Sequence, residues 1–258
     1  MLNPQKKQAL VLCRPFKDYP DENMLEKNIF INDIPAILWG NDSAERFIAV
    51  HGNMSSKSDI PIRILAEEAI SLGYQVISFD LPEHGDRKNE PTLCKVENCV
   101  SDLKQVLEFA STKSDSISLW ANSIGAYFSL LAYKDVALKQ SLFLSPVVDM
   151  SRMIQNMMKW FDVTEEQLCR EREVSTPIGQ ILYWDYYQYV IKNPITKWGS
   201  PTSILYGEKD ELCEYDVLSS FIKKFNCNLA VSDTSEHYFH TEEDLAIYRT
   251  WLGNIILK

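Results

Sequence analysis

Residues Ser116 to Gly125 read SISLWANSIG, and the placement of Ser123 within them decides the fold. Ile117 to Trp120 form a short apolar run of the kind that makes a buried strand. It leads straight into Ala121-Asn122-Ser123-Ile124-Gly125, and from Ile124 to Tyr133 the pattern is helical. Strand, sharp turn and helix in that order are the setting of a nucleophile elbow. Small residues two places before and two places after the serine let such a turn pack tightly. The Ser123 hydroxyl then stands at a helix N-terminus, whose dipole favours developing negative charge. The five-residue pattern alone is unspecific, because a serine here also serves as a plain helix N-cap.

Outward from this stretch, strands and helices alternate. On the N-terminal side, Ile29 to Ile31 and Ile34 to Leu38 flank Asn32-Asp33, a hairpin signal. Phe47 to Val50 read as a buried strand ending at His51-Gly52. Leu65, Ala69 and Leu72 share a helical face, with Pro61 near the first turn and Gly73 at the end. Val76 to Phe79 form a strand, and Val96, Val100, Leu103 and Leu107 mark the next helix. On the C-terminal side, strands are expected at Leu142 to Leu144, Ile204 to Tyr206 and Leu229 to Val231. A helix is expected from about Glu214 to Phe225, and Leu245, Tyr248, Leu252 and Ile255 give a closing amphipathic helix. This alternation implies an α/β fold: a mainly parallel sheet covered by helices on both faces.

The chain has 258 residues, 45% of them hydrophobic and 24% charged, with a net charge of −10. These are globular values. The acid excess argues against a general nucleic-acid binder, which needs Lys and Arg to neutralise phosphates. The six cysteines form no C-x-x-C pair, which argues against a zinc site or a redox dithiol and for reduced thiols in a reducing compartment. The apolar stretch Ala9 to Cys13 is too short for a signal-peptide core, and no run is apolar enough for a membrane span. A soluble, cytoplasmic protein is the expectation. Only four histidines are present, His51, His84, His237 and His240, so any histidine-dependent chemistry must use one of them.

A nucleophilic serine needs a base to take its proton and a carboxylate to orient that base. Asp210 lies in the loop after the strand ending at Gly207, and His237 follows the strand Leu229 to Val231. Ser123, Asp210 and His237 thus each follow a different strand and can converge on one rim of a parallel sheet. His51-Gly52-Asn53 also follows a strand, at the end where such sheets bind ligands. The backbone amides of Asn53 and Ile124 are candidates for an oxyanion hole. His240 competes with His237 for the base, although it abuts a capping box at Thr241-Glu242-Glu243-Asp244. Glu208, Glu211 and Asp149 compete with Asp210 for the acid. His51 and His84 read as residues that pack their loops.

From about Phe47 to the C-terminus the chain resembles the α/β-hydrolase superfamily in strand order, oxyanion loop, elbow, acid loop and histidine loop. Two departures stand out. Ala121 takes the place of the usual first elbow glycine. In the segment Asp80-Leu81-Pro82-Glu83-His84-Gly85, Glu83 takes the place of a glycine, so that loop is free to adopt another shape. The resemblance implies hydrolysis or transfer of an acyl group through an acyl-enzyme, on a small-molecule substrate and with no metal or organic cofactor. Acyltransferase, peptidase and C–C bond hydrolase chemistry use the same triad, and non-catalytic ligand binders share the fold.

One stretch breaks the alternation. Between Met150 and Trp198 no strand pattern is visible, Met150 to Phe161 repeat at helical spacing, and a second helix is expected over Ile178 to Ile191. Eight aromatics lie here, and the charges cancel, with six acidic and six basic residues. Residues 149–198 are read as a helical cap inserted into a core of residues 1–148 and 199–258, where the superfamily carries its lids. Met157, Trp160 and Tyr186 are its candidate substrate-lining residues. Oligomeric state is not legible in the sequence.

Overall fold

The computed structural model describes residues 25–114 and 116–257. The stretch Ala9 to Cys13 lies outside them. Ten strands and eight α-helices are formed by the described residues. Strands β1 (Glu26–Ile31) and β2 (Ile34–Trp39) form the hairpin expected around Asn32-Asp33. Asn32 takes φ 52, which suits a short polar side chain in a tight turn. There follow β3 (Glu45–Val50), α1 (Ile60–Ser71), β4 (Gln75–Phe79), α2 (Val96–Ser111), β5 (Ser116–Asn122), α3 (Ile124–Ala132) and β6 (Ser141–Leu144). After the interrupting segment come β9 (Thr202–Gly207), α7 (Tyr215–Phe225), β10 (Asn228–Ser232) and α8 (Glu242–Ile255).

Eight strands make one sheet in the order β1-β2-β4-β3-β5-β6-β9-β10. β2 pairs antiparallel with both β1 and β4, whereas β4, β3, β5, β6, β9 and β10 are parallel to one another. Strand side chains alternate between faces, and the two faces carry two cores. Phe47, Ala49, Val76, Trp120 and Leu142 pack with Ile62, Leu65 and Ala69 of α1 and with Tyr248, Trp251 and Leu252 of α8. Ile48, Val50, Ile77, Leu119 and Phe143 pack with Leu103 and Val106 of α2 and with Tyr127 and Leu130 of α3. Each fully buried leucine or valine of this kind contributes ~1.5–3 kcal/mol.

The chain leaves β3 for β4 on one side and returns to β5 on the other. Such a reversal opens a crevice at the C-terminal ends of the two central strands. Val50 of β3 is paired with Ala121 of β5, so the residues that follow each of them meet at that crevice.

Between β6 and β9 the chain forms α4 (Met150–Trp160), α5 (Glu165–Glu171), the antiparallel pair β7 (Glu173–Ser175) and β8 (Ile181–Tyr183), and α6 (Trp184–Lys192). The hairpin corrects the expectation that no strand occurs here, and α6 starts later than Ile178. Each strand has three residues, too few for a period-two pattern to show. Their only inward side chains are Val174 and Leu182. The turn is held by the Thr176 amide donating to the Gln180 carbonyl at 2.8 Å and by Gly179 at φ 81. Ile154 and Met158 of α4 join Tyr187 and Val190 of α6 in the core that α2 and α3 share.

Candidate active site

Ser123 holds φ 49 and ψ −119 between β5 and α3. A non-glycine residue there stores ~1–3 kcal/mol of strain, so its surroundings must impose the turn. The Ser123 amide donates to the Leu144 carbonyl at 3.2 Å, and the Val147 amide donates to the Ser123 carbonyl at 3.0 Å. Gly125 lets the helix start lie against β3: a Cβ there would stand 2.4 Å from the His51 carbonyl oxygen and 2.7 Å from that of Val50. Ala121 is fully buried at an ordinary strand φ, so its methyl group is accommodated.

Ser123 Oγ lies 2.9 Å from His237 Nε2, and His237 Nδ1 lies 2.8 Å from Asp210 Oδ2. The three side chains form one unbroken hydrogen-bond chain. Asp210 is an obligate acceptor, so Nδ1–H donates to it and the Nε2 lone pair faces the serine hydroxyl. The other carboxylate oxygen, Oδ1, accepts the amides of Leu212 at 2.9 Å and Cys213 at 2.8 Å. A buried carboxylate satisfied on both oxygens keeps its position. The histidine loop crosses directly over the end of β9. A Cβ on Gly207 would stand 2.3 Å from the Ser235 carbonyl oxygen and 2.5 Å from that of Glu236, so glycine permits the approach that brings His237 to Asp210.

The loop after β3 abuts the elbow, since a Cβ on Gly52 would lie 3.1 Å from the Ser123 Cβ. Ile124 opens α3, and its amide has no partner inside the helix. Asn53 joins the two neighbouring loops through its side chain: Oδ1 is 3.2 Å from His84 Nε2, and Nδ2 donates to Gln180 Oε1 at 3.2 Å. His51 is buried under this loop. Its Nε2 accepts the Leu81 amide at 3.0 Å and its Nδ1 meets the Gly52 carbonyl at 2.7 Å, which suits the neutral ring. Burial pushes His51 down from 6.5 to about 4. Between these values the unfolded chain binds a proton that the folded chain refuses. The His51 contribution to stability is therefore complete above pH 6.5 and lost as the pH falls toward 4, at about 1.4 kcal/mol per pKa unit. Urea midpoints at pH 7 and pH 5 check this: wild type should lose more between them than His51→Gln, and equal losses would discard it.

No family model and no curated protein sequence matches the chain. Solved structures do. The esterase Est1E from Butyrivibrio proteoclasticus, solved with ferulic acid bound, superposes with a TM-score of 0.70 at 19% identity over 88% of this chain and 96% of that one. Mouse alpha/beta hydrolase domain-containing protein 10 gives a TM-score of 0.72 at 14% identity, over 90% and 98% of the two chains. The Pyrococcus furiosus esterase Pf2001 gives 0.63 at 20% identity, over 89% of each. The chain has the α/β-hydrolase fold.

Within this α/β-hydrolase fold the competing residues have other occupations. Asp149 caps α4, where its Oδ1 accepts the Arg152 amide at 3.0 Å. Glu208 and Glu211 are exposed. His240 is exposed with its Nδ1 on the Tyr238 carbonyl, ahead of the capping box formed by Thr241 and Asp244. His84 is buried in its loop, with Nδ1 2.8 Å from the Pro82 carbonyl. Glu83 takes φ 65, the left-handed region that favours glycine, and its carboxylate accepts the Cys94 amide at 2.6 Å. Of the candidate substrate-lining residues, Met157 and Tyr186 pack against the α2–α3 core, whereas Trp160 is 47% exposed.

Sequence reading passed over the ion pair beneath the site. Asp80 is fully buried; Lys57 gives it both its backbone amide at 2.8 Å and its ammonium at 2.6 Å, and the Asp86 amide adds a third bond at 3.0 Å. The pair fixes the loops after β3 and β4 together. An aspartate one residue past a strand was the only available signal. Tyr206 was also missed; its hydroxyl donates to the Cys213 carbonyl at 2.8 Å and shapes the acid loop. Among the described residues, Asp210, Cys213 and His237 are the group whose ligand atoms lie within 4.8 Å of one another. Burial pushes the Cys213 thiol up, which keeps it protonated and a poor metal ligand. No helix among the described residues is long and apolar enough to cross a membrane.

Proposed function

We propose that the chain is a serine hydrolase that cleaves an ester or thioester through an acyl-enzyme, with Ser123 as nucleophile, His237 as general base and Asp210 as the orienting acid. The observation that carries this reading is the continuous chain from Ser123 Oγ through His237 to Asp210 Oδ2. Ser123 Oγ attacks the acyl carbon while His237 Nε2 takes its proton. The imidazolium, stabilised by Asp210, then protonates the departing alkoxide or thiolate. A water activated by the same nitrogen releases the acid and restores the serine. The amides of Asn53 and Ile124 hold the oxyanion in both halves of the cycle.

Residues 149–198 act in this reading as a cap. Polar contacts tie the segment to the core, among them the Asn53 side chain with Gln180, the Lys95 ammonium with Asp185 at 2.7 Å and Arg152 with Glu214 at 2.6 Å. Met157 and Tyr186 line the inner side and favour an apolar or aromatic acyl group, while Trp160 stands at the rim. Est1E binds ferulic acid, and esters of aromatic acids of that kind belong among the substrates to test.

A fluorophosphonate probe tests the nucleophile directly. Wild type is expected to become labelled on Ser123, and Ser123→Ala to stay unlabelled. Folded wild type that resists the probe overturns the reading. A panel of aryl and alkyl esters and thioesters of varied acyl length then identifies the leaving group and acyl portion.

A further inference from the structure

We propose that Cys94 and Cys99 form a peroxide-reactive dithiol, in which Cys94 is the thiol that a hydroperoxide oxidises and Cys99 the thiol that resolves it into a disulfide. The C-x4-C spacing carries no dithiol signal by itself, and the sequence reading argued against one. The start of α2 brings the two together. Lys95 is the N-cap of this sixteen-residue helix, so Cys94 occupies the position before the cap and Cys99 the fourth helical position. Side chains at those positions meet across the first turn. Here the sulfurs stand 3.6 Å apart, against a disulfide bond length of ~2.05 Å.

Three further features separate this pair from an apolar staple. Cys94 is half-buried and Cys99 buried, so an oxidant meets Cys94 first. His84, in the loop after β4, favours the Cys94 thiolate, while its ring nitrogens stand against the Pro82 carbonyl and Asn53 Oδ1. The third feature is chemical asymmetry. The Cys99 contact, and then His84, outweigh burial and the Glu83 carboxylate to draw Cys94 down to about 6. Burial pushes Cys99 well up, with Asp102 adding to the rise and Arg87 opposing it. Although burial disfavours the imidazolium, the Cys94 sulfur raises His84 in turn. Burial keeps Tyr186 of α6 protonated, and the two thiols add to that rise. A partly accessible thiol that ionises readily, beside a buried partner that stays protonated, is the arrangement that redox-sensitive cysteines use.

The chemistry balances with a hydroperoxide as the oxidant. The Cys94 thiolate attacks the O–O bond; an S–O bond forms, the O–O bond breaks, and the departing oxyanion leaves as the protonated alcohol, or as water from hydrogen peroxide. Sulfur is oxidised by two electrons to a sulfenic acid. Cys99 then attacks that sulfur as its proton is lost, the S–S bond forms, and the S–O bond breaks to release water. The proposal concerns the thiols and does not depend on Ser123.

The test uses the reduced full chain. It is treated with hydrogen peroxide, quenched with N-ethylmaleimide and digested without reductant. Trypsin cuts after Lys95, between the two cysteines, so the disulfide should join two separate peptides that thiol reductant parts. Alkylation of Cys94 by iodoacetamide should have its midpoint near pH 6, and His84→Gln should raise that midpoint by about one unit or more. In Cys99→Ser, dimedone should trap Cys94 as the sulfenic acid. Cys169, which is exposed, serves as the internal standard. Cys94 alkylating with the midpoint of Cys169, or peroxide-treated wild type that yields no linked peptides, overturns the proposal.

Discussion

Ser123→Ala is expected to lower kcat for any ester the wild type cleaves by roughly 10⁶-fold, the scale of removing a nucleophile from a triad. The fold should survive the change. The Ser123 hydroxyl is hydrogen-bonded to His237, whereas the turn is held by backbone bonds to Leu144 and Val147 and by the close approach of Gly125 to β3. Binding of a non-reacting substrate analogue should change little, because only the hydroxyl is removed. Progress curves at high enzyme concentration, with circular dichroism as the control, make the comparison. Activity within tenfold of wild type would remove Ser123 from the chemistry and leave it as the N-cap of α3.

Asp210→Asn should cost about 10⁴-fold in kcat. An asparagine can keep the two bonds from the Leu212 and Cys213 amides through its carbonyl oxygen, so the acid loop keeps its shape. Its NH2 group then faces His237 Nδ1, which must turn from donor to acceptor. The ring proton moves to Nε2, and the atom facing Ser123 no longer has a lone pair to receive the hydroxyl proton. The imidazolium of the transition state also loses the carboxylate beside it. If Asp210→Asn retained most of its activity while Asp149→Asn abolished it, the acid would be reassigned to the end of β6.

Much of this was legible in the chain because it is local. The hairpin at Asn32-Asp33, the capping box at Thr241 and Asp244, and the strand–turn–helix around Ser123 are each written within about ten residues. Their hydrophobic periods match the elements formed. The short hairpin of Glu173–Ser175 and Ile181–Tyr183 escaped because each strand offers a single inward side chain, Val174 or Leu182. The buried Lys57–Asp80 pair escaped because its partners come from loops after different strands.

The sequence by itself determined the mainly parallel α/β architecture, the interruption before β9 and a short set of candidates: one serine, two histidines and four carboxylates. Tertiary structure decided among them. Ser123 and His237 are 114 residues apart, and no local pattern records that Gly207 lets the histidine loop settle on the end of β9. The same holds for Cys94, whose surroundings combine its own helix with His84 and Glu83 from another loop. Periodicity follows from the geometry of a single element. Which side chains share a hydrogen bond, and so which protons can move, depends on distances fixed only when separate strands close into one sheet.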